Sequence, residues 1–181
     1  EERRPTWITN TTEVPAEGEP VIRAPGLSAF VNIMYGCDNF CAYCIVPYAR
    51  GREVSRPAAD VLAEVRAVVA EGYREVTLLG QNVNSYAGAS RGLRSSVPDG
   101  GHSTAFPALL REVGAVDGLW RLRFTTSHPK DLSEELLRAM AETPAACEHL
   151  HLPLQAGDDE VLARMGRGYT LAHYLSLVEQ A

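Results

Sequence analysis

An α/β fold on a parallel sheet is predicted, a partial (open) TIM-like β/α barrel that breaks off after about four β/α units. Three observations carry this. Short apolar runs alternate with helix-period segments four times over, which calls for parallel strands joined by crossovers. The conspicuous polar residues fall just after the runs, at the edge where barrels and open parallel sheets place their chemistry. Four units are too few to close a barrel, which needs about eight strands. Residues 28–181 are expected to form this domain, incomplete at its C-terminal end, because a chain ending in a helix leaves its last strand an exposed edge. Residues 1–27, with Pro5, Pro15, Pro20 and Pro25 spread through them, read as an extended linker.

Each element has its own warrant. Phe30 to Met34 is a short apolar run, a buried strand, and a cysteine-rich segment follows it directly. In the stretch that follows, Val61, Leu62, Val65, Val68 and Val69 recur along one helix face, with Pro57 at the first turn and Gly72 just past the end. Val76 to Leu79 is a second strand. A polar stretch holding Gly88, Gly92, Pro98, Gly100 and Gly101 is a long loop, which leads into a short helix near Ala108 to Val113. Trp120 to Thr126 alternates as a third strand. A helix follows around Glu134 to Ala141, with Ser133 or Asp131 as its cap. Leu150 to Leu154 is a fourth strand, then comes a helical segment through Val161 and Met165. The last helix sets Leu171, Tyr174, Leu175 and Val178 on one face.

Bulk properties bound the function. The 181 residues are 45% hydrophobic and 22% charged, ordinary for a soluble domain. No apolar run of about 18 residues is present to span a membrane, and the opening segment lacks the order of a secretory signal. The net charge of −6 gives no general attraction to a phosphate backbone, so if a nucleic acid is the substrate, other parts of the protein must supply most of the electrostatic hold. Of the four cysteines, three fall within eight residues and Cys147 lies about a hundred residues later. That distribution suits a reducing, cytoplasmic compartment better than a disulfide scaffold.

Cys37, Cys41 and Cys44 are spaced C-x3-C-x2-C on a loop leaving a buried strand. Thiolates are soft ligands for zinc or iron–sulfur clusters. Three on one loop can wrap a 4Fe–4S cubane and leave one iron open, and an open position is what catalysis uses. The competing reading is a zinc-binding interaction module without catalysis. It would need a fourth ligand from a second cysteine pair or a histidine pair, and neither spacing occurs.

With Tyr43 before the last cysteine, the motif resembles the signature of radical S-adenosylmethionine enzymes. The longer blocks GCDNFCAYCIVPYARGREVSRP, LLGQNVNSY, RFTTSHP and HLPLQAGDDEVLARMGR resemble the methylthiotransferases of that superfamily, over about residues 28 to 181. The first two blocks are most similar to the branch that makes tRNA 2-methylthio-N6-isopentenyladenosine next to the anticodon. The branch that modifies a ribosomal protein shares the cysteines and the LPLQ and MGR blocks, and is the alternative. Ala42, Tyr35 and Ala156 depart from residues common in the family, but none is a cluster ligand.

The resemblance implies a 4Fe–4S cluster on Cys37, Cys41 and Cys44 whose open iron takes S-adenosylmethionine. It also implies a cellular electron donor and a tRNA substrate. A second, auxiliary cluster belongs to an N-terminal domain of the family, and a TRAM domain at the C-terminus helps grip RNA. Neither lies in these residues, so this chain alone is expected not to methylthiolate tRNA.

For the cofactor, Tyr43 joins the cysteine loop, and Gln81 and Asn82 occupy the place after strand two where the family binds the methionyl part. An ordinary loop-capping pair explains those two equally well. Ser127 and Gln155 follow strands three and four and face the same rim, though a backbone-satisfying role suits each at least as well. Arg167 is a candidate for the cofactor carboxylate, although a surface arginine is the plainer reading. Arg50, Arg52 and Arg56 follow the cysteines and either approach RNA or form a solvated basic turn. No chemistry is assigned to His128, His149 or His151, and Cys147 reads as a small buried apolar residue.

Overall fold

The computed structural model describes residues 21–88 and 105–181. The strands of its parallel sheet form at the first three apolar runs, and each buries alternate residues, as a period of two demands. β1 (Ser28–Asn32) buries Ala29 and Val31. A short β2 (Met34–Tyr35) follows, then a four-residue helix α1 (Val46–Ala49) and β3 (Val54–Ser55). Helix α2 (Ala58–Ala70) buries the five apolar residues its periodicity marks, Val61, Leu62, Val65, Val68 and Val69. Gly72, just beyond it, has φ +104, a conformation open to glycine at no steric cost. β4 (Glu75–Leu79) buries Val76 and Leu78.

Helix α3 (Ala105–Gly114) covers the Ala108 to Val113 expectation and buries Phe106, Leu109, Leu110 and Val113. β5 (Arg121–Thr125) buries Leu122 and Phe124. The chain continues with α4 (Glu134–Glu142), α5 (Asp159–Arg164) and α6 (Leu171–Gln180).

β1, β4 and β5 form one parallel sheet in the order β1-β4-β5. Its register sets Ser28, Glu75 and Arg121 at one end and Asn32, Leu79 and Thr125 at the other. The buried face carries the core with α2 and α3, where Phe106 and Phe124 meet edge to face at 5.2 Å. The other face holds Phe30, Thr77, Leu79, Arg123 and Thr125, all exposed or half-buried. This is an open parallel α/β sheet, part of a barrel rather than a closed one.

The structure corrects three expectations. Leu150 to Leu154 form no strand. Pro153 has no N–H for a ladder, and the carbonyls of Leu152 and Leu154 accept from the Tyr174 and Tyr169 hydroxyls at 2.9 and 2.6 Å. Among the described residues a single bridge, Leu122 to Ala146, extends the sheet on that side. On α6 the buried residue is Leu177, while Leu175 and Val178 are half exposed. The run Phe30 to Met34 is not one strand: β1 ends at Asn32, and Met34 belongs to two-residue β2, which pairs antiparallel with β3, Met34 with Ser55 and Tyr35 with Val54, a hairpin too short to leave a periodic signature. The long loop beyond Gly88 and all but the end of the 1–27 linker lie outside the described residues.

Ser133 is the cap of α4: its Oγ accepts the Leu136 N–H at 3.2 Å. Asp131 sits instead in a 3-10 turn, Pro129–Asp131. Replacing Ser133 with alanine is expected to cost about 1 kcal/mol. That lowers the melting temperature by roughly 3 °C in a domain of this size, checked by thermal unfolding.

Candidate metal centre and cofactor cavity

The cysteine loop is a closed structure standing on the β2–β3 hairpin. Gly36 turns the chain at φ +67, and the Cys37 N–H donates to the Gly51 carbonyl at 3.3 Å. Across the base of the loop, Arg52 binds the Asp38 carboxylate at 2.6 and 3.0 Å, and the Glu53 N–H donates to Asp38 at 2.9 Å. The Cys44 N–H bonds back to the Cys41 carbonyl at 2.9 Å. Cys37 and Cys41 are buried and Cys44 half-buried, and all four cysteines of the chain are free thiols. The loop is also clamped from far along the sequence: the Ala42 N–H donates to the Met165 carbonyl at 3.0 Å.

Arg167, two residues past Met165, is only 5% exposed and so is no surface arginine. Its Nη1 lies 3.3 Å from Cys41 Sγ and 3.3 Å from the Tyr43 hydroxyl, and its Nε 3.3 Å from the Tyr169 hydroxyl. Burial works against the guanidinium charge, but hydrogen bonds to Tyr169 and Cys41 outweigh it and hold the pKa above its ordinary value. Burial pushes the Cys37 thiol up, with the nearby Glu53 carboxylate adding to the effect and the Asn39 N–H, 3.5 Å from the sulfur, opposing it. Burial likewise raises the Tyr43 phenol, against the pull of Arg167. A thiol so placed ionises when a metal supplies the positive charge.

Among the described residues no group of three or more His, Cys, Asp or Glu side chains gathers round one point to hold a metal ion. A cubane asks for something wider, because each of three irons takes its own thiolate. The chemistry of the donor set fits such a cluster: three free thiols on one loop, a backbone N–H on one sulfur and a buried cation on another.

Beside the loop, the C-terminal ends of β1, β4 and β5 open on a cavity of about 310 Å³. Asn32, Tyr35, Arg50, Gln81, Thr125 and Thr126 are among its lining residues. Gln81 therefore stands on the cavity. Asn82 does not line it: its side chain is buried and its Nδ2 donates to Asp131 at 2.6 Å. Ser127 is buried behind the rim, and its Oγ and the Asn82 Oδ1 find no hydrogen-bond partner among the described residues. Gln155 is exposed at φ +73, on the segment that forms no strand. Tyr43 lies with Cys41 and Arg167 rather than on the cavity wall.

The three arginines after the cysteines part company. Arg56 is buried against Glu64 at 2.7 Å and the Asn32 carbonyl at 2.5 Å, and Arg52 holds Asp38. Arg50 is exposed, on the cavity, and in no ion pair among the described residues. Cys147 is half-buried, and His149 and His151 are exposed, with His151 Nδ1 2.8 Å from Thr126 Oγ1.

Sequence reasoning missed Asn32, Thr125 and Thr126 as cavity residues and Glu53 and Tyr169 as supports of the loop. For Thr125 and Thr126 a signal existed, since both end the third apolar run. Glu53 carried none, because its burial depends on a hairpin of two-residue strands.

His128 is buried, accepts the Lys130 N–H at Nδ1 and packs on Tyr169 at 5.7 Å. Burial, with Arg167 and Lys130 nearby, lowers its pKa to about 3. A histidine neutral in the fold and titrating near 6.5 when unfolded contributes stability that is complete above about pH 6.5 and lost as pH falls towards 3. Stability is expected to drop by up to about 1.4 kcal/mol per pH unit across that window. Urea unfolding at pH 7 and pH 5 of the protein and of a His128→Gln variant checks this, since the variant lacks the histidine's share.

An open parallel sheet with a three-thiol loop and a cavity at its C-terminal edge is the architecture of one class of enzyme. The chain belongs to the Radical SAM superfamily, which it matches over residues 31–181. Enzymes of that family work with a 4Fe–4S cluster and S-adenosylmethionine. The chain is 56% identical to the tRNA-2-methylthio-N(6)-dimethylallyladenosine synthase of Carboxydothermus hydrogenoformans, over 91% of this chain and 35% of that protein. The enzyme of the same name from Syntrophomonas wolfei is 57% identical over 89% of this chain and 34% of its own. The chain thus spans about a third of these relatives' length.

Among solved structures, the radical S-adenosylmethionine methyltransferase TsrM from Kitasatospora setae, with cobalamin and a 4Fe–4S cluster bound, superposes with a TM-score of 0.62. It is 22% identical, over 83% of this chain and 28% of its own. The radical enzyme OxsB superposes with a TM-score of 0.58 at 12% identity, over 83% of this chain and 21% of its own. At these identities the likeness is one of fold.

Proposed function

We propose that the chain is the catalytic core of a tRNA methylthiotransferase acting on an isopentenylated adenosine beside the anticodon. The observation that carries this is the cysteine loop at the C-terminal edge of the sheet, next to the cavity, in a chain more than half identical to enzymes named for that product. Cys37, Cys41 and Cys44 each ligate one iron of a 4Fe–4S cluster. When bound, such a cluster would supply the electron for reductive cleavage of S-adenosylmethionine. The chain's own residues have simpler tasks. Gln81 and Arg50 meet the polar end of the cofactor from the cavity wall, Ser127 and Asn82 brace the rim behind it, and Tyr43 and Arg167 border the cluster loop. Gln155 reaches the ribose or amino group only from the exposed rim.

The free thiols support a reducing cytoplasm as the site of action. No helix among the described residues is long and apolar enough to cross a membrane. A one-electron donor in that compartment reduces the cluster, and domains outside this span supply the auxiliary cluster and most of the grip on RNA. The acidic balance of the chain agrees with that division of labour.

Anaerobic reconstitution with iron and sulfide tests the reading. About four irons per chain are expected, with an EPR signal that changes on adding S-adenosylmethionine and 5′-deoxyadenosine formed under reduction. Stoichiometric zinc without iron–sulfur absorption would turn the reading towards an interaction module. With the flanking domains present, isopentenylated tRNA is the expected acceptor, and modification of a ribosomal protein in its place would move the chain to the other branch of the family.

A further inference from the structure

We infer that Arg167 balances the charge of the iron–sulfur cluster at Cys41 and so raises its reduction potential, an inference that rests on reading Cys37, Cys41 and Cys44 as cluster ligands. The argument begins with an imbalance. An arginine is charged at any pH of interest, and a buried charge without a counter-charge is costly. Arg167 is 5% exposed and makes no ion pair with a carboxylate among the described residues. What its Nη1 meets is a cysteine sulfur at 3.3 Å and a phenol at 3.3 Å; its Nε meets a second phenol, that of Tyr169. The face of the Tyr169 ring, 5.4 Å from the guanidinium, and the neutral phenol oxygens soften that charge but carry no counter-charge. A Cys41 thiolate on a cluster does, and charge-assisted hydrogen bonds of this kind are the strong ones.

The placement is built rather than incidental. The Met165–Tyr169 turn is fixed to the cysteine loop by the Ala42 N–H on Met165 and to α5 by the Arg167 N–H on the Leu162 carbonyl at 3.0 Å. The Tyr169 hydroxyl, which receives Arg167 Nε, itself donates to the Leu154 carbonyl at 2.6 Å. Gly166 and Gly168, both at φ +70, flank the arginine and allow the tight turn. A side chain of many rotamers is thereby held in one position, its Nη1 on the sulfur and its Nε on the Tyr169 hydroxyl, before any cofactor arrives.

The consequence concerns one electron. A low-potential one-electron donor is oxidised, the cluster gains the electron, and no bond or proton at Arg167 changes hands. The reduced cluster is one unit more negative, so a fixed cation against a ligand sulfur favours it, as hydrogen bonds and net charge near cluster sulfurs do in general. Arg167 is thus a positioning residue whose effect is present before S-adenosylmethionine binds. That sets it apart from a carboxylate-binding arginine, which acts only on the cofactor.

The test is an EPR-monitored redox titration of the anaerobically reconstituted protein, with dithionite as reductant and without S-adenosylmethionine. Arg167→Gln is expected to keep its iron and sulfide content but to show, at a fixed potential, an about tenfold lower ratio of reduced to oxidised cluster. For one electron that is about 59 mV. Arg167→Lys keeps the charge and loses the fork, and is expected to fall between the two. An unchanged potential in a fully loaded Arg167→Gln protein would overturn the inference, as would a change seen only once S-adenosylmethionine is added. Failure of both variants to load, while the parent protein loads, would also overturn it and make Arg167 an assembly residue. If the parent protein itself takes up no cluster, the fault lies with the cluster reading instead.

Discussion

A Cys41→Ala variant, reconstituted alongside the parent protein, is expected to retain few or none of the about four irons a full cubane brings and to form 5′-deoxyadenosine no faster than a protein-free control. Three ligands are the minimum that leaves one iron open and the other three held, so removing one leaves two thiolates for three positions. No other thiol can step in. The Cys147 N–H donates to the Leu122 carbonyl, and Leu122 pairs with Val76, three rows back from the Leu79–Thr125 edge where the loop emerges. At about 3.3 Å per row, that places Cys147 roughly 10 Å behind the edge. A Cys147→Ala variant therefore serves as the control and should load and cleave as the parent does. Full iron content in Cys41→Ala would mean that the three thiols are not the ligands, and the proposed chemistry would fall with them. The fold itself should survive, since Cys41, though buried, lies in the cysteine loop and outside the apolar core under the sheet.

How much of this was legible in the sequence follows from the range over which each signal acts. Helix α2 was readable because five apolar residues repeat along one face and all five are buried. The strands β1, β4 and β5 were readable because their apolar residues reach one core, although the first two runs, unlike the third, hid that only alternate residues are covered. Leu150 to Leu154 looked like a fourth strand on composition alone. Pro153, with no N–H for a ladder, was a local warning; the rest was distant, since hydroxyls of Tyr169 and Tyr174 take the carbonyls a neighbouring strand would need.

The site divides the same way. The cysteine spacing is local and stood out at once. The burial of Arg167 was invisible, since it depends on a turn more than a hundred residues later folding back onto Ala42. Asn82 lies where expected along the chain, yet its Nδ2 is spent on Asp131, a contact between two loops that no spacing rule announces.

Gly36→Ala is expected to have the largest effect of any single methyl group added to the site. The residue sits at φ +67, where an L side chain costs about 1–2 kcal/mol. A Cβ there would also drive into the carbonyl oxygen of Arg52 and lie 2.6 Å from that of Gly51. Both obstacles are backbone, on the far arm of the hairpin that carries the loop, so neither can swing aside as a side chain would. Relief requires moving the arm, which breaks the Cys37 N–H bond to Gly51 and shifts the first ligand. The combined cost is expected at roughly 3 kcal/mol, a fall in melting temperature of about 6–12 °C, with iron uptake reduced in the same sample.

Gly51 supplies the internal control. Its φ is +78, but nothing lies within 4 Å of an added Cβ. Gly51→Ala therefore carries the conformational cost alone, about 1–2 kcal/mol, and leaves the cysteine loop in place. Melting curves and iron content of the two variants, measured together, separate strain from collision. Equal losses in both would show that the close approach of Gly36 to the hairpin does not matter. A larger loss in Gly36→Ala, with iron uptake falling only there, ties the geometry of the first cysteine to the pairing of two short strands.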